Sequence, residues 1–344
     1  TESVGLDGTS GLWNGITGTD VNRDGRMDYV VTNFGRNTKY HASRKHPYIL
    51  YHDDFDEDGK DELVEALYED GTLYPAQGRD QMNLVLPSIS EQYETYNEFA
   101  TATLPDILGE RTIENADRKK VTILNSVLLI NRGKGTFKIR SLPVDAQIAP
   151  GFSPVASAWD GSPGRDVFFA QNFHSPRLQT GRMNGGVGAL LASNSDGTFA
   201  SIAPETSGIA LSGDMMGAAR ADVDGNGRPD LAVTRNRNFP VLLTRRNTGT
   251  APLQISLPSG PSGRSLAGTR IQVATENSSL GVFETYSGSG YLSQSIPSIY
   301  MDLPRNTNHL TVRVQWPAGK TRTVEVDDPG GRQVRIERPT PDEN

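Results

Sequence analysis

Apolar positions fall in short runs bounded by Gly, Asp, Asn or Pro, and in many runs they alternate with polar ones. Runs of this length and composition predict β-strands. "LTVRVQW" and "RTVEVD" alternate on either side of "PAGK", the pattern of a hairpin. "LLINRGKGTF" (128–137) and "LLASNSDGTF" (190–199) each join an apolar strand to a Gly-rich turn and an aromatic, which predicts two more hairpins. Residues 75–120 depart from this pattern with "LPSISEQYETYNEFATATLPDILG". Ser88 and Glu91 are spaced as a capping box after Pro87, and Tyr93, Tyr96, Phe99 and Ala100 form a helical stripe. Pro105 and Gly109 bracket a second short helix. The segment reads as a helical insertion between strands, a structural cover rather than a catalytic lid.

Three of the strand runs share one preface. "DVNRDGRMD" places Asp20, Asn22, Asp24 and Asp28 around Gly25, "DFDEDGKDE" places Asp54, Asp56, Asp58 and Glu62 around Gly59, and "DVDGNGRPD" places Asp222, Asp224, Asn226 and Asp230 around Gly227. All fit D-x-[DN]-x-[DN]-G-x-x-[DE], and "YVVTNFG", "LVEALY" and "LAVTRN" follow. A solvated turn accounts for one such loop, since Asp, Asn and Gly are turn residues. Recurrence before a strand favours a hard cation such as Ca²⁺, which takes six to eight oxygens. Positions 1, 3 and 5 supply side chains and Gly at 6 permits the bend. The carbonyls of Arg26, Lys60 and Arg228 at position 7 are expected to join the shell, and position 9 closes it. "AWDGSPGRDVFFA" keeps Asp160 and Asp166 but has Ala158 and Ser162 at positions 1 and 5, so it reads as a repeat without its ion. Loop, strand and hairpin recur every 40–50 residues or so, the period of propeller blades.

In 344 residues, 36 Gly and 21 Pro suit turns between short strands, and the length allows a large all-β region plus a smaller domain. The net charge of −7, with no basic block, argues against nucleic acid and anionic membranes as partners. The absence of cysteine excludes disulfides and thiolate chemistry. No run is long and apolar enough for a transmembrane segment. Thr1 in place of an initiator Met, with no signal peptide, suggests a processed or truncated chain.

From about 252 the acidic loops stop, and "SLPSGPSGRS" reads as a linker before "GTRIQVAT", "VFETYSGSGYLSQS" and "LTVRVQWPAGKTRTVEV". The acidic loops with their "DGTF" hairpins resemble FG-GAP/VCBS repeats, the integrin-α-like β-propeller. "GTRIQV", "SGSGYLSQS" and "VQWPAGKTRTV" resemble the ASPIC/UnbV domain of the cartilage acidic protein-like family, with "DLP" (302–304) where a Gly-Leu-Gly-like turn is usual. The expected fold is therefore all-β. Residues 1–250 would form propeller repeats with the helical insertion at about 75–120, 251–262 a linker, 263–330 the C-terminal β domain and 331–344 a tail. The resemblance implies a seven-bladed ring, calcium in the blade loops, export from the cytoplasm, and binding or adhesion. About four repeats are visible, so the ring is incomplete unless upstream blades or another chain complete it.

Other chemistry is sparse. His41, His46 and His52 beside Asp53 fit no zinc spacing; His174 is a candidate on a propeller face and His309 a turn residue. No G-x-S-x-G, P-loop or H-E-x-x-H occurs. Tyr40, Tyr48, Tyr51, Trp159, Tyr286 and Tyr291 are candidate sugar platforms, with packing the commoner use; Trp13 and Trp316 are assigned to the core. The expectation is a non-enzymatic, calcium-binding module, extracellular or at the cell surface, for a protein or glycan ligand. The alternatives are a polysaccharide lyase or hydrolase on a calcium-bearing propeller, or a subunit of a larger surface assembly.

Overall fold

In the computed structural model, short antiparallel sheets follow one another along the chain, with helix confined to a few turns. The structure describes residues 2–161, 165–177, 180–194, 196–246, 252–258, 266–304, 306–317 and 319–339. By contacts the chain divides into two units: 1–6, 13–37 and 125–344 form one, 7–12 and 38–124 the other.

The larger unit opens with β1 (Gly15–Thr19) and β2 (Asp28–Thr32), an antiparallel pair joined by the first acidic loop. The chain then leaves to build the second unit. There β3 (Tyr48–Asp53) and β4 (Glu62–Glu69) flank the second acidic loop, and β5 (Thr72–Pro75) and β6 (Asp117–Val121) complete a sheet in the order β5-β4-β3-β6. Between β5 and β6 run α1 (Arg79–Val85), α2 (Ile89–Gln92), α3 (Tyr96–Thr101), α4 (Leu104–Leu108) and α5 (Glu110–Asn115). Met82, Ile89, Phe99, Leu104 and Ile113 from these helices pack with Ile49, Tyr51, Val64 and Ala66 of the sheet, so the unit has its own core.

The helical stretch corrects the sequence reading in detail. Ser88 makes no side-chain cap; the capping boxes are Thr95 with Glu98 and Thr103 with Asp106. The expected stripe breaks at Tyr93–Thr95 and buries Phe99 while Tyr96 and Ala100 face solvent. A Thr at N-cap with a carboxylate three residues on satisfies orphan N–H groups at the starts of α3 and α4, and this punctuation gives several short helices instead of the two expected. Pro105 and Gly109 bracket α4 as expected.

Back in the larger unit, β7 (Val127–Gly133) pairs with β2, and β8 (Thr136–Ser141) follows, completing a sheet in the order β1-β2-β7-β8. Next come β9 (Gly151–Ser157), β10 (Asp166–Gln171), β11 (Ala189–Ser193) and β12 (Phe199–Ile202), a four-stranded meander. A one-turn α6 (Pro204–Ser207) leads to β13 (Asp214–Ala221), β14 (Asp230–Asn236) and β15 (Val241–Leu243). All six residues of β10 are buried. Val167 and Phe169 pack with Val30 and Leu128 of the first sheet, while Phe168 and Ala170 pack with Met215, Leu231 and Val233 of the third. Because side chains alternate between faces, the apolar run at 167–170 within this strand marks the middle layer of three stacked sheets. The first strands β1, β9 and β13 lie side by side.

The remainder is a two-sheet sandwich. β16 (Pro252–Ser256) pairs with β19 (Ile299–Asp302) and, in parallel, with β22 (Arg332–Arg335). β17 (Arg270–Ala274) lies between β18 (Ser279–Glu284) and β20 (His309–Gln315), with β21 (Thr321–Asp327) outside. Leu253, Ile255, Ile271, Val312 and Trp316 are among its core residues. Thus β16 occupies part of the stretch read as linker and β22 part of the stretch read as tail; 251, 259–262 and 340–344 lie outside the described residues. Trp316 is buried as expected, whereas Trp13 is 37% exposed.

Candidate metal centres

Each acidic loop curls by the same device. Gly25, Gly59 and Gly227 at position 6 have φ of 82°, 87° and 79°, a region an L side chain enters only with strain. Their N–H groups point back to the position-1 carboxylate: Gly25 to Asp20 at 3.1 Å, Gly59 to Asp54 and Gly227 to Asp222 at 2.9 Å. Position 3 accepts from the N–H of position 5 (Asp24 to Asn22, Asp58 to Asp56, Asn226 to Asp224, each 3.2 Å). Position 5 accepts from the N–H of Arg26, Lys60 or Arg228 at 2.8–3.0 Å. Three side-chain oxygens are therefore turned toward the inside of each curl. Carboxylate oxygens of Asp54, Asp56 and Asp58 lie within 4.8 Å of one another, as do those of Asp222, Asp224 and Asp230.

Position 9 does more than close a shell. Val21 donates to Asp28 at 3.1 Å, Phe55 to Glu62 at 2.9 Å and Val223 to Asp230 at 2.8 Å, so position 9 always holds the N–H of position 2. The second oxygen of Asp28 accepts from Asn131 (2.8 Å), and that of Asp230 from Arg245 (2.9 Å), pinning the next strand of the sheet. Asp166 in the degenerate loop keeps the whole pattern, accepting from Trp159 and Asp160 at 2.9 Å and from Ser193 at 3.2 Å. Position 9 is thus a brace of the fold that survives where positions 1 and 5 have changed. Ser162 lies outside the described residues.

Position 7 also acts through its side chain, which the sequence did not reveal. Arg26 and Lys60 reach back to the position-5 carboxylates Asp24 and Asp58. In the third loop position 5 is Asn226, and Arg228 turns instead to Asp302 at 2.9 Å. Arg245 meets the other oxygen of Asp302 at 2.6 Å. Burial pushes Asp20 above the usual carboxylate range, and burial with the Asp24 and Asp20 charges pushes Asp28 up to about 6. Asp58 is held low by Lys60.

The C-terminal sandwich grips the first loop directly. Val282 N–H donates to Asp20 at 3.1 Å and the Arg270 guanidinium to the Gly25 carbonyl at 2.6 Å. The "SGSGYLSQS" segment lies against the first strands. Ser293 meets Ser153 at 3.0 Å, Ser295 accepts from Arg220 N–H at 3.1 Å, and Tyr291 contacts Phe152 edge-on at 5.0 Å.

The remaining candidates separate. His46 stacks on Tyr68 and His52 faces Asp61 at 3.1 Å; with His41 they form no three-ligand cluster among the described residues. His309 opens strand β20, not a turn, between Asp327 and Glu325. His174 is partly buried. Tyr48 and Tyr51 are buried and so are packing residues, while Tyr40, Trp159, Tyr286 and Tyr291 are half-buried. Missed altogether were Arg165 and Arg220, and Asp302 was noticed only as part of the unusual "DLP"; the signal for Arg220 is a lone cation in the apolar run of β13.

Residues 260–342 match the family model described as ASPIC and UnbV. No curated protein matches the chain.

Proposed function

We propose that this chain is a calcium-binding module of the β-propeller type, with its stacked sheets as FG-GAP/VCBS-like blades, presenting a surface to an extracellular protein or glycan. The observation that carries the cation reading is the convergence of three carboxylates within 4.8 Å in the second and third loops. One oxygen there, Asp54 Oδ1, is buried without a hydrogen-bond partner. A divalent ion supplies what this donor set lacks, a positive charge that turns mutual repulsion into attraction. In the first loop Asp20, Asn22 and Asp24 share the hydrogen-bonded curl, with an amide in place of one carboxylate. The blade reading draws support from three sheets stacked through β10 and from first strands lying side by side. The ASPIC/UnbV resemblance is what supports placement outside the cytoplasm.

Calcium titration of EGTA-stripped protein tests this. Three sites are expected, with a melting temperature that climbs with calcium as ligand binds the folded state alone. Asp24→Ala and Asp224→Ala each remove one site and blunt the response to EGTA; Asp160→Ala leaves it unchanged. Equal EGTA sensitivity in the parent and all three variants would reduce the loops to acidic turns. A glycan array probed with and without calcium then addresses the ligand.

A further inference from the structure

Where β1, β9 and β13 meet β18 and the segment after it, the larger unit holds a partly open cavity of about 60 Å³. One water centre needs roughly 10–15 Å³, so the space holds a group of several heavy atoms. Its lining includes Thr19, Ser157, Arg165, Arg220, Glu284 and Tyr286. Arg165 is 6% exposed, and its Phe283 neighbour lies 3.9 Å from the guanidinium carbon, ring face on. One nitrogen of Arg165 donates to the Tyr300 carbonyl at 3.2 Å. Its Nε and Nη2 are buried with no acceptor. These two nitrogens form the edge of a guanidinium that matches two oxygens of one oxyanion. Arg220 spends its terminal nitrogens on the carbonyls of Ala156 (2.5 Å) and Ser298 (3.0 Å), again leaving Nε buried without a partner. Thr19 Oγ1 and Ser157 Oγ, in the same lining, are unpartnered too.

Orphaned polar atoms are uncommon in folded proteins and point to something absent from the protein's own inventory. Here the residues that carry the orphaned atoms line one cavity, and two of them carry fixed positive charge. Neither guanidinium forms an ion pair with a carboxylate of the described residues. Asp20 and Asp166 act on Arg165 only from further off. Glu284 lines the same cavity, and its charge acts on Tyr286. Water would satisfy the hydroxyls but leave the buried charge uncompensated, which costs several kcal/mol. Burial, and then the neighbouring Arg220, pulls Arg165 down to about 9, which registers the same missing negative charge.

We propose that this cavity binds a small oxyanion, of sulfate, phosphate or carboxylate size, between Arg165 and Arg220. The ion ties the C-terminal sandwich to the first strands of all three sheets, because both arginines also hold carbonyls of that sandwich.

The full chain in EGTA, which silences the acidic loops, is melted in sodium sulfate against sodium chloride at matched ionic strength. The expected result is a rise in melting temperature that saturates at low-millimolar sulfate. Arg165→Met with Arg220→Met should abolish the saturable part, and Ser157→Ala should weaken the midpoint by roughly ten- to a hundredfold, the range for one hydrogen bond to a charged group. Sulfate also stabilises proteins generally by exclusion, but without saturation. An unsaturating rise, identical in parent and variants, overturns the proposal. Should the double arginine variant not fold, crystals of the parent soaked in selenate decide alone. An anomalous peak in the cavity supports the site, and ordered water there without one refutes it.

Discussion

Asp166 shows what one carboxylate does once its loop has lost the ligands at positions 1 and 5. It is fully buried, accepts three backbone N–H bonds, and is still pushed up to about 7, by burial first and by Asp160 second. Its folded value lies above the unfolded 3.8, so across roughly pH 4–7 the native state keeps a proton that the unfolded state has released. The native state then binds more protons, and stability falls as pH rises through this window. The contribution is at most about 1.4 kcal/mol per pH unit, the value for one proton. Asp166→Asn, measured by urea unfolding in EGTA from pH 4.5 to 7.5, should flatten that decline; an unchanged slope would place the titration elsewhere. A second residue-scale constraint is Gly18, where an added Cβ would sit 1.9 Å from the Tyr286 hydroxyl. Gly18→Ala is expected to lower the melting temperature by displacing Tyr286 from β1.

Among elements, the join between β19 and the third acidic loop is held by a buried ion-pair triad. Asp302 is 1% exposed and bridges Arg228 and Arg245, themselves buried. Removing the one carboxylate takes the negative charge away from two buried cations, a loss of roughly 3–5 kcal/mol. Asp302→Asn keeps the shape, so a drop of that size in urea unfolding would come from charge; a loss under about 1 kcal/mol would show the bridge to be dispensable. The sequence made this residue visible only as an oddity, "DLP" in place of a Gly-rich turn, because nothing local relates position 302 to 228 and 245. Legible instead were features decided within ten residues: the curl of each acidic loop, the strand after it, the hairpins at 128–137 and 190–199, and the alternation of β20 and β21. The Ser88 capping box misled because Thr95 and Thr103 offer competing N-caps with carboxylates equally well spaced. Strand β16 was hidden in a Pro/Gly/Ser stretch, since its partners β19 and β22 lie over 40 and 70 residues downstream, beyond the reach of local periodicity.

At the scale of the molecule, the second acidic loop belongs to a unit inserted into a sheet of the first. β2 and β7 are paired neighbours although 94 residues separate the end of one from the start of the other (33–126). Short-range bonds already close that gap: Asn33 N–H donates to Ser126 Oγ at 3.0 Å, and the Asn33 amide reaches the Asn125 carbonyl at 3.4 Å. Residues 38–124 bury their apolar groups in a core of their own. A repeat array read by period alone would place this loop in a consecutive blade; the pairing places it in a separate sheet whose residues fall, in sequence, between two strands that pair with each other. The three-sheet stack through β10 and the C-terminal sandwich draw no core residue from the insertion. Replacing 38–124 with a short Gly-Ser bridge between Asn37 and Asn125 should therefore leave a protein that unfolds cooperatively, with helical circular dichroism reduced. On the proposed calcium reading it should lose one binding site, that of Asp54, Asp56 and Asp58, and retain the other two. A collapsed, non-cooperative product would show that the nested unit is needed for the strands on either side of it to pair, and would overturn the independence of the two cores.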